Sequence, residues 1–345
     1  MHKLGVAVVG VGKLGRRHAE NVRRAIPNAQ LIAVADADEQ LASQVAAELE
    51  VEHGTVESVL GRKDVHAIVI AAPSKFHAPL TEAGAKAGKH VFCEKPLALT
   101  VEEADAALAA VSAARVQLQM GFMRRYDPAY VEARKRIEAG EIGDPVIFKS
   151  VGRDKQPPPL SFFENRVNGT LLSDAAIHDF DLVRWLMEDE VVEVQTFAGL
   201  VACPELAPAN DVDVALVNLR LSRGGVGNVE AFRKANYGYD IRTEVLGTRG
   251  ALQIGYLRET PLLRLSGEGI SNDVVAHWLE RFADAYRIEL DAFARATLAD
   301  RPVQPNGEDG RRSLAVAVAA ERSHREARPV SIAAEMGAAA SPRTR

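Results

Sequence analysis

The chain has 345 residues, and at about 150 residues per domain this length predicts two domains. Hydrophobic residues make up 47% of the chain and charged residues 26%, which excludes collagen-like, disordered and fibrous repetitive proteins. The 42 basic and 47 acidic side chains give a formal net charge of −5. The chain therefore lacks the excess positive charge with which proteins bind nucleic acid or anionic membranes.

Cysteine usage and the N-terminus predict a cytoplasmic protein. Cys93 and Cys203 are the only cysteines, so there is no disulfide framework and no cysteine cluster for structural zinc. The first apolar run, 4–9, ends at a glycine and lacks the features of a signal peptide. A membrane span needs about 18 consecutive apolar residues, and no apolar run in the sequence is that long. We expect neither a membrane partner nor a nucleic-acid partner.

Residues 4–120 alternate short apolar runs with longer segments of helical period, which is typical of βαβ units around a buried parallel sheet. Such units form a doubly wound sheet that binds ligands beyond the carboxyl ends of its strands. We therefore predict a dinucleotide-binding α/β domain over 1–123. Its strands are predicted at 4–9, 31–35, 67–71, 90–93 and 116–120, and its helices at 14–25, 39–49, 77–87 and 101–114.

After Gly121 the pattern changes to strands that follow one another with few helices between them. This order indicates a second, α+β domain over 124–332, built on an open and mostly antiparallel sheet. The alanine-rich end, 333–345, is expected to be a frayed tail. Strands are predicted at 146–151, 191–198, 212–221, 227–233, 241–246 and 251–254, and helices at 175–187, 272–298 and 307–322.

The segment Gly10-Val11-Gly12-Lys13-Leu14-Gly15 is a G-x-G-x-x-G that follows a predicted strand and opens a helix. Gly10 permits a tight turn, Gly12 lets the backbone approach a pyrophosphate, and Gly15 allows the helix to pack closely on the strand. Asp36 lies 21 residues after Gly15, where a carboxylate can accept hydrogen bonds from an adenosine ribose. The order of strand, glycines, helix and acid predicts a dinucleotide site.

The alternative for this segment is a glycine-rich turn followed by an aspartate that caps the next helix. If a dinucleotide binds, the Asp36 carboxylate repels a 2′-phosphate and Ala37 offers no guanidinium to hold one. The sequence therefore favours NAD over NADP. Lys13 is a further candidate for a phosphate contact.

Glu94-Lys95-Pro96 follows the strand predicted at 90–93, at the ligand-binding edge. Proline restricts the residue before it to extended geometry, so the Lys95 ammonium is directed outward rather than into a helix. An ammonium there can hydrogen-bond a reacting hydroxyl and stabilise developing alkoxide charge. The alternative is a glutamate and lysine pair on an exposed loop.

Asp174 and His178 are four residues apart and would share one face of a helix. An imidazole beside a carboxylate is an oriented base, and a histidine pKa near about 6.5 suits removal of an alcohol proton around neutrality. The alternative is an acid in the first turn of a helix and a half-buried histidine. The histidines show no spacing typical of metal ligands, so no metal is predicted.

Taken together, the glycine loop, Ala72-Pro73-Ser74-x-x-His77, Glu94-Lys95-Pro96 and Asp174-x-x-x-His178 resemble the Gfo/Idh/MocA family of NAD(P)-dependent oxidoreductases. The resemblance covers nearly the whole chain. It implies an N-terminal Rossmann domain and a C-terminal α/β domain whose open sheet joins the subunits of a homodimer or homotetramer. In this family pattern Lys95, Asp174 and His178 match the catalytic residues. The implied cofactor site comprises Gly10, Gly12, Lys13, Leu14, Gly15, Asp36, Ala72, Pro73, Ser74, His77, Glu94 and Lys95.

Within the family, 121–127, 237–240 and 278–286 are most similar to the inositol dehydrogenase subgroup. That similarity implies oxidation of a secondary hydroxyl of a cyclic polyol, myo-inositol or a stereoisomer, with hydride transfer to NAD. His178 would act as the base, Lys95 would bind the reacting hydroxyl and Asp174 would orient the substrate. The implied substrate residues are Lys95, Arg125, Asp127, Asp174, His178 and Tyr237.

Two segments depart from the family pattern. Asn168-Gly169-Thr170 stands where a pair of glycines is common, and Gln156-Pro157-Pro158-Pro159 is an unusual loop. Three other functions therefore stay open: a dehydrogenase of sugars or sugar derivatives, an NAD-dependent glycoside hydrolase that retains its cofactor, and a non-catalytic dinucleotide-binding sensor. A lysine together with an aspartate and histidine pair argues against the sensor, which needs no base.

Overall fold

The structure is a computed structural model that describes residues 3–255, 262–267 and 269–336. Contacts between residues divide the chain into two compact units. Unit 1 comprises Met1–Tyr126, Arg166–Asn168 and Asp284–Leu314, and unit 2 comprises Asp127–Asn165, Gly169–Ala283 and Ala315–Arg345. Unit 1 thus includes residues that a division of the chain at 123 assigns to the second domain.

The N-terminal part of unit 1 is a six-stranded sheet with strand order β3-β2-β1-β4-β5-β6, in which every neighbouring pair is parallel. This is the strand order of a Rossmann sheet, so the doubly wound fold is confirmed. The strands are β1 (Leu4–Val9), β2 (Ala29–Ala35), β3 (Glu52–Gly54), β4 (Ala67–Ile70), β5 (His90–Glu94) and β6 (Leu118–Gly121). The helices are α1 (Lys13–Arg24), α2 (Glu39–Leu49), α3 (Val56–Leu60), α4 (His77–Lys86) and α5 (Val101–Ala114).

Local sequence explains why these elements begin where they do. Every residue of β1 and of β4 is buried, as expected for strands covered by helices on both faces. The Asp38 side chain accepts the first backbone N–H groups of α2, and Thr100 forms a capping box with Glu103 at the start of α5. Strand β3 was missed because Glu52 and His53 are exposed at the sheet edge and form no apolar run.

The rest of the chain supplies a seven-stranded sheet with strand order β12-β11-β7-β10-β9-β8-β15. The strands from here on are β7 (Pro145–Arg153), β8 (Val191–Gly199), β9 (Val214–Leu221), β10 (Val226–Phe232), β11 (Asp240–Gly247), β12 (Ala251–Ile254), β13 (Leu263–Ser266), β14 (Gly269–Asn272) and β15 (Val330–Ser331). The helices are α6 (Pro128–Glu138), α7 (Ile177–Met187), α8 (Trp278–Arg281), α9 (Ala283–Leu298), α10 (Gly307–Glu326) and α11 (Ala333–Met336).

In this sheet only β7 and β10 pair in parallel, and all other neighbours are antiparallel. Buried and outward-facing residues alternate along β9, so one face of the sheet packs on a core while the other is open. The predicted open, mostly antiparallel sheet is therefore confirmed. Strands β13 and β14 form a separate two-stranded ribbon.

The single helix predicted over 272–298 is wrong. After β14 the chain has no regular secondary structure up to His277, and the carbonyl oxygen of Val275 accepts the N–H of Tyr239 at 2.8 Å. The imidazole of His277 then accepts the N–H of Leu279 at 3.2 Å and caps the short helix α8, and α9 follows from Ala283. A side-chain cap starts a new helix here instead of continuing an old one.

Helix α9 belongs to the core of unit 1. Leu290, Phe293 and Ala294 are buried in one hydrophobic cluster with residues of the Rossmann strands. The rings of Phe293 and Phe92 meet edge to face with centroids 5.9 Å apart. The Rossmann sheet is thus completed by a helix that lies far along the chain.

Of the tail predicted as frayed, Ala333–Met336 forms α11 and 337–345 lies outside the described residues. None of the helices in the described part of the chain combines the length and apolar character that a membrane span requires.

Candidate active site

The ends of five strands of the Rossmann sheet lie in one row. Val9 pairs with Ala35 on one side and with Ile70 on the other, Ile70 pairs with Cys93, and Cys93 pairs with Met120. Because the strands are parallel, the residues that follow this row emerge along one edge of the sheet. Those residues are Gly10, Asp36, Ala71, Glu94 and Gly121.

The three glycines of the loop after β1 have different physical roles. Gly10 has φ +84°, and a Cβ atom there would lie 2.5 Å from the backbone nitrogen of Ala72. A Cβ atom on Gly15 would lie 1.8 Å from the carbonyl oxygen of Gly10. At Gly12 no atom lies within 4 Å of the Cβ position. The fold therefore requires Gly10 and Gly15, whereas Gly12 leaves space for a ligand to approach.

Helix α1 presents its N-terminus to that space. Gly12 is its N-cap, no side chain caps it, and its first turn holds no acidic residue. The first N–H groups and the positive end of the helix dipole are thus available to an anion. A dinucleotide pyrophosphate fits this donor set. Lys13 is exposed and Leu14 is half-buried beside it.

Asp36 organises the same loop. Its Oδ2 atom accepts the N–H of Val11 at 2.7 Å, and its Oδ1 atom accepts the N–H of Asp38 at 3.0 Å. The half-exposed carboxylate therefore ties the end of β2 to the glycine loop. A carboxylate can accept further bonds at its remaining lone pairs, so this structural role is compatible with binding of a ribose.

The segment after β4 is held by two hydrogen bonds to adjacent residues, Val167 and Asn168. The Ser74 N–H donates to Oδ1 of Asn168 at 3.2 Å, and the Lys75 N–H donates to the Val167 carbonyl at 2.9 Å. Sequence reasoning noticed Asn168 only as a departure from a glycine pair and gave it no role. Ala72 is half-buried and Pro73 exposed on this segment.

His77 joins this segment to the one after β5. Its Nδ1 atom lies 2.6 Å from the carbonyl oxygen of Pro96, and its Nε2 atom lies 2.7 Å from that of Ala72. Burial lowers the pKa of His77 below its usual range, although both carbonyl contacts favour the charged ring. The ring therefore contacts backbone atoms of the predicted cofactor segment through both nitrogens.

Glu94 lies inside unit 1. The Nε2–H group of His18 donates to its Oε1 atom at 2.7 Å, and the backbone N–H of Lys95 donates to its Oε2 atom at 3.3 Å. A Cβ atom on Gly121 would lie 2.8 Å from this carboxyl group, so only glycine fits at this position of β6. Lys95 is half-buried, and its peptide bond to Pro96 is cis.

Arg125 and Asp127 both have charged partners. The Arg125 guanidinium lies 3.2 Å from a carboxylate oxygen of Asp309, with 9% of its side chain exposed. Asp127 caps α6 by accepting the N–H of Ala129, and its other oxygen accepts Nη1–H of Arg281 at 2.6 Å. Both side chains are engaged in fixing their own units.

Tyr237 lies in unit 2, three residues before β11 begins. Its hydroxyl donates to Oδ2 of the buried Asp240 at 2.9 Å and accepts Nη1–H of Arg153 at 2.5 Å. Burial raises the pKa of Tyr237; the hydrogen bond from Arg153 opposes this rise, and the hydrogen bond to Asp240 adds to it. The hydroxyl is fixed while the ring is exposed.

Asp174 and His178 lie on two consecutive helical segments of unit 2. Leu171–Ala175 forms one turn of π-helix, and α7 begins at Ile177. The chain is thus not one regular α-helix from Asp174 to His178, and a spacing of four does not by itself fix the relative directions of the side chains. His178 is buried and Asp174 is half-buried.

The π-turn is anchored at its first residues. Thr170 forms a capping box with Ser173, and both carboxylate oxygens of Asp211 accept the N–H of Leu171 at 3.0 and 3.2 Å. The buried Arg233 donates in turn to Asp211 at 3.1 Å. A buried ion pair therefore holds the turn that carries Asp174.

Comparison with known proteins identifies the family. Residues 4–122 match the Gfo/Idh/MocA description "Oxidoreductase family, NAD-binding Rossmann fold", and residues 134–332 match "Oxidoreductase family, C-terminal alpha/beta domain". The chain belongs to the Gfo/Idh/MocA oxidoreductase family. This confirms the resemblance seen in the sequence, and the N-terminal match assigns an NAD-binding Rossmann domain to this member of the family.

Relatives of this family member match it from end to end. The scyllo-inositol 2-dehydrogenase (NAD(+)) of Bacillus subtilis is 38% identical over 96% of this chain and 97% of its own length. The myo-inositol 2-dehydrogenase of Thermotoga maritima is 35% identical over 96% of this chain and 99% of its own. The crystal structure of scyllo-inositol dehydrogenase from Lactobacillus casei, with bound NAD(H) and scyllo-inositol, has a TM-score of 0.90 at 29% identity. It covers 96% of this chain and 99% of that one.

The different roles of Gly12 and Gly15 give a testable pair of variants. Gly12→Ala adds a methyl group in open space, so we expect the melting temperature to stay within a few degrees while NAD binding weakens by about tenfold or more. The methyl group added by Gly15→Ala would overlap the carbonyl oxygen of Gly10, so we expect this substitution to lower the free energy of unfolding by about 1–3 kcal/mol. Thermal melts and NAD titration of both variants measure this. Equal effects of the two substitutions on NAD binding and stability would contradict the assignment.

Proposed function

We propose that this oxidoreductase oxidises a secondary hydroxyl of a cyclic polyol, myo-inositol or a stereoisomer, to the ketone with NAD as hydride acceptor. One observation carries the proposal: a chain with the glycine loop, Asp36 and the Glu94-Lys95-Pro96 segment at one sheet edge aligns end to end with inositol dehydrogenases. The relatives support the substrate, and the residues at the sheet edge support the chemistry.

In the proposed reaction the chain's own residues bind the cofactor and move one proton. The uncapped N-terminus of α1 holds the pyrophosphate, and Asp36 accepts hydrogen bonds from the adenosine ribose. His178 removes the hydroxyl proton, Lys95 stabilises the negative charge that develops on the oxygen, and Asp174 orients the substrate. NAD, when bound, accepts the hydride. Arg125, Asp127 and Tyr237 stay proposed substrate residues, and their charged partners restrict the directions in which they can contact it.

We further propose that the protein assembles as a homodimer or homotetramer through the open face of the seven-stranded sheet. Phe197 of β8 and Leu216 of β9 are directly paired on that face and are 62% and 43% exposed. Val226 of β10 is exposed as well. Apolar side chains on one sheet face favour burial against a second copy. Light scattering on the full chain measures its oligomeric state.

The experiment that tests the proposed reaction follows reduced-nicotinamide absorbance with NAD or NADP and a panel of inositols, hexoses and sugar acids. Turnover of an inositol with NAD supports the proposal. Turnover only of a sugar keeps the mechanism and changes the substrate. Release of a sugar from a glycoside without net reduced cofactor would indicate the hydrolase, and NAD binding with no turnover of any compound would indicate the sensor.

We expect His178→Ala to lower kcat by about 10²-fold or more, because the alcohol proton then lacks its base. His324→Ala, which removes an exposed histidine from α10, is the matched control and should keep full activity. Melting curves establish that both variants fold. An unchanged kcat in a folded His178→Ala protein would remove His178 from the mechanism.

Asp36→Asn should shift the cofactor preference toward NADP. The amide keeps one acceptor oxygen for the glycine loop but no longer repels a 2′-phosphate, so we expect the NAD to NADP ratio of kcat/KM to fall by about tenfold or more. Asp38→Asn removes an equal charge two residues away and preserves the cap of α2, since asparagine caps as well as aspartate. A ratio that changes equally in both variants would show that Asp36 does not face the ribose.

A further inference from the structure

A cluster of three titratable side chains is buried in unit 1. His18 comes from α1, Glu94 from the end of β5 and Glu289 from α9, and their exposed fractions are 0%, 4% and 0%. One nitrogen or oxygen of each lies within 4.8 Å of the others. The cluster lies directly before Lys95 in the chain, because Glu94 is the preceding residue.

Two members of the cluster are joined by a hydrogen bond, whereas the third is not. The Nε2–H group of His18 donates to Oε1 of Glu94 at 2.7 Å. Within the described residues, neither carboxyl oxygen of Glu289 has a hydrogen-bond partner. Gln119 of β6 donates its amide to the backbone carbonyl of Glu289 at 3.1 Å and leaves the carboxyl group without a donor.

The surroundings of Glu289 disfavour a negative charge. The groups that face it are His18 of α1, Glu94 of β5 and the Tyr126 phenol in the turn after β6. A buried carboxylate without a donor, close to a second carboxylate, is far less stable than its neutral acid. Burial first, and then the charge of Glu94, raise the pKa of Glu289 well above its usual range.

We propose that Glu289 is a positioning residue that stays protonated at neutral pH, and that this neutral acid permits the ionised Glu94 carboxylate to hold the backbone of Lys95 from inside the unit. The inference rests on the proposed function in one respect, the role of Lys95 in the reaction. The contact that transmits it is the hydrogen bond from the Lys95 N–H to Oε2 of Glu94 at 3.3 Å.

Ionisation of Glu289 would act on Glu94 because the cluster has little freedom to rearrange. The Glu94 carboxyl group packs so closely on Gly121 that a Cβ atom there would lie 2.8 Å from it. The His18 ring meets Phe92 and Tyr286 edge to face at centroid distances of 5.6 and 5.8 Å. Two like charges in such a packed site repel strongly. The resulting displacement of the Glu94 carboxylate would first move the peptide group of Lys95, which is hydrogen-bonded to it.

The first test is the pH dependence of unfolding of the full chain and of Glu289→Gln, an isosteric and permanently neutral variant. Glutamate is ionised in the unfolded chain above a pKa of about 4.3, but in the folded protein it would keep its proton. The contribution of protonated Glu289 to the free energy of unfolding is therefore complete below the pKa of the unfolded chain. It is lost as pH rises toward the pKa of Glu289 in the folded protein. Between pH 5 and 8 we expect the unfolding equilibrium constant of wild type, relative to the variant, to rise about tenfold per pH unit.

Glu308→Gln is the matched control for that measurement, because Glu308 is a half-exposed glutamate of α10 in the same unit. Its unfolding constant should follow wild type across the pH range. Parallel curves for wild type and Glu289→Gln would overturn the inference. So would a stoichiometric divalent metal, found by elemental analysis of protein purified without chelators, since a cation would keep both carboxylates ionised.

Infrared difference spectra give a direct readout. Wild type minus Glu289→Gln at pH 7 should show the carbonyl band of a protonated carboxyl group, whereas only carboxylate bands would overturn the inference. Neither this experiment nor the unfolding series requires activity. Failure of the proposed reaction is seen separately, as a lack of turnover by wild type on the substrate panel.

The positioning role is tested by the pH profile of kcat. Glu289→Gln should retain wild-type kcat at pH 7, and its activity should persist to higher pH than that of wild type, because no proton can be lost from the amide. Glu289→Ala should lower kcat by about tenfold or more, since it leaves a cavity behind Glu94. Superimposable pH profiles for wild type and Glu289→Gln, or equal losses in Gln and Ala variants, would overturn the positioning role.

Discussion

The row of paired residues at the carboxyl ends of β1, β2, β4, β5 and β6 is the constraint on which the candidate site depends. Val9, Ala35, Ile70, Cys93 and Met120 are in register across the sheet, so the chain leaves five strands at the same height. Parallel pairing by itself brings the glycine loop, Asp36 and the lysine segment to a common edge. Every further interaction at that edge adjusts positions that the register has already set.

Several candidate site residues at this edge also hold the protein together. Asp36 accepts backbone N–H groups from the glycine loop and from the turn after it, and His77 contacts the carbonyl groups of two different segments. Glu94 faces inward to His18 and to the backbone of Lys95. These contacts with backbone groups and with one another fix the three side chains, which restricts their movement before a ligand arrives.

The parts of the fold that sequence reasoning found and missed differ in how local their signals are. The bounds of α2 and α5 were predicted correctly because periodicity and a side-chain cap lie within the same few residues. β3 has no such signal, since it is held by its pairing with β2 rather than by an apolar run. The region 272–298 has helical composition, but the cap at His277 and the contact of Val275 with Tyr239 divide it.

The features of the candidate site also differ in whether their signals are local in the sequence. By itself the sequence determined the doubly wound fold and the family, and it predicted a dinucleotide site at the glycine loop and Asp36, because these depend on residue order and short spacings. Only the tertiary structure decided that Asn168 supports Ser74, that Asp174 lies in a π-turn held by Asp211, and that α9 places Glu289 beside Glu94. Such contacts join residues that are distant in the chain, and no local periodicity encodes which distant side chains will share a buried space.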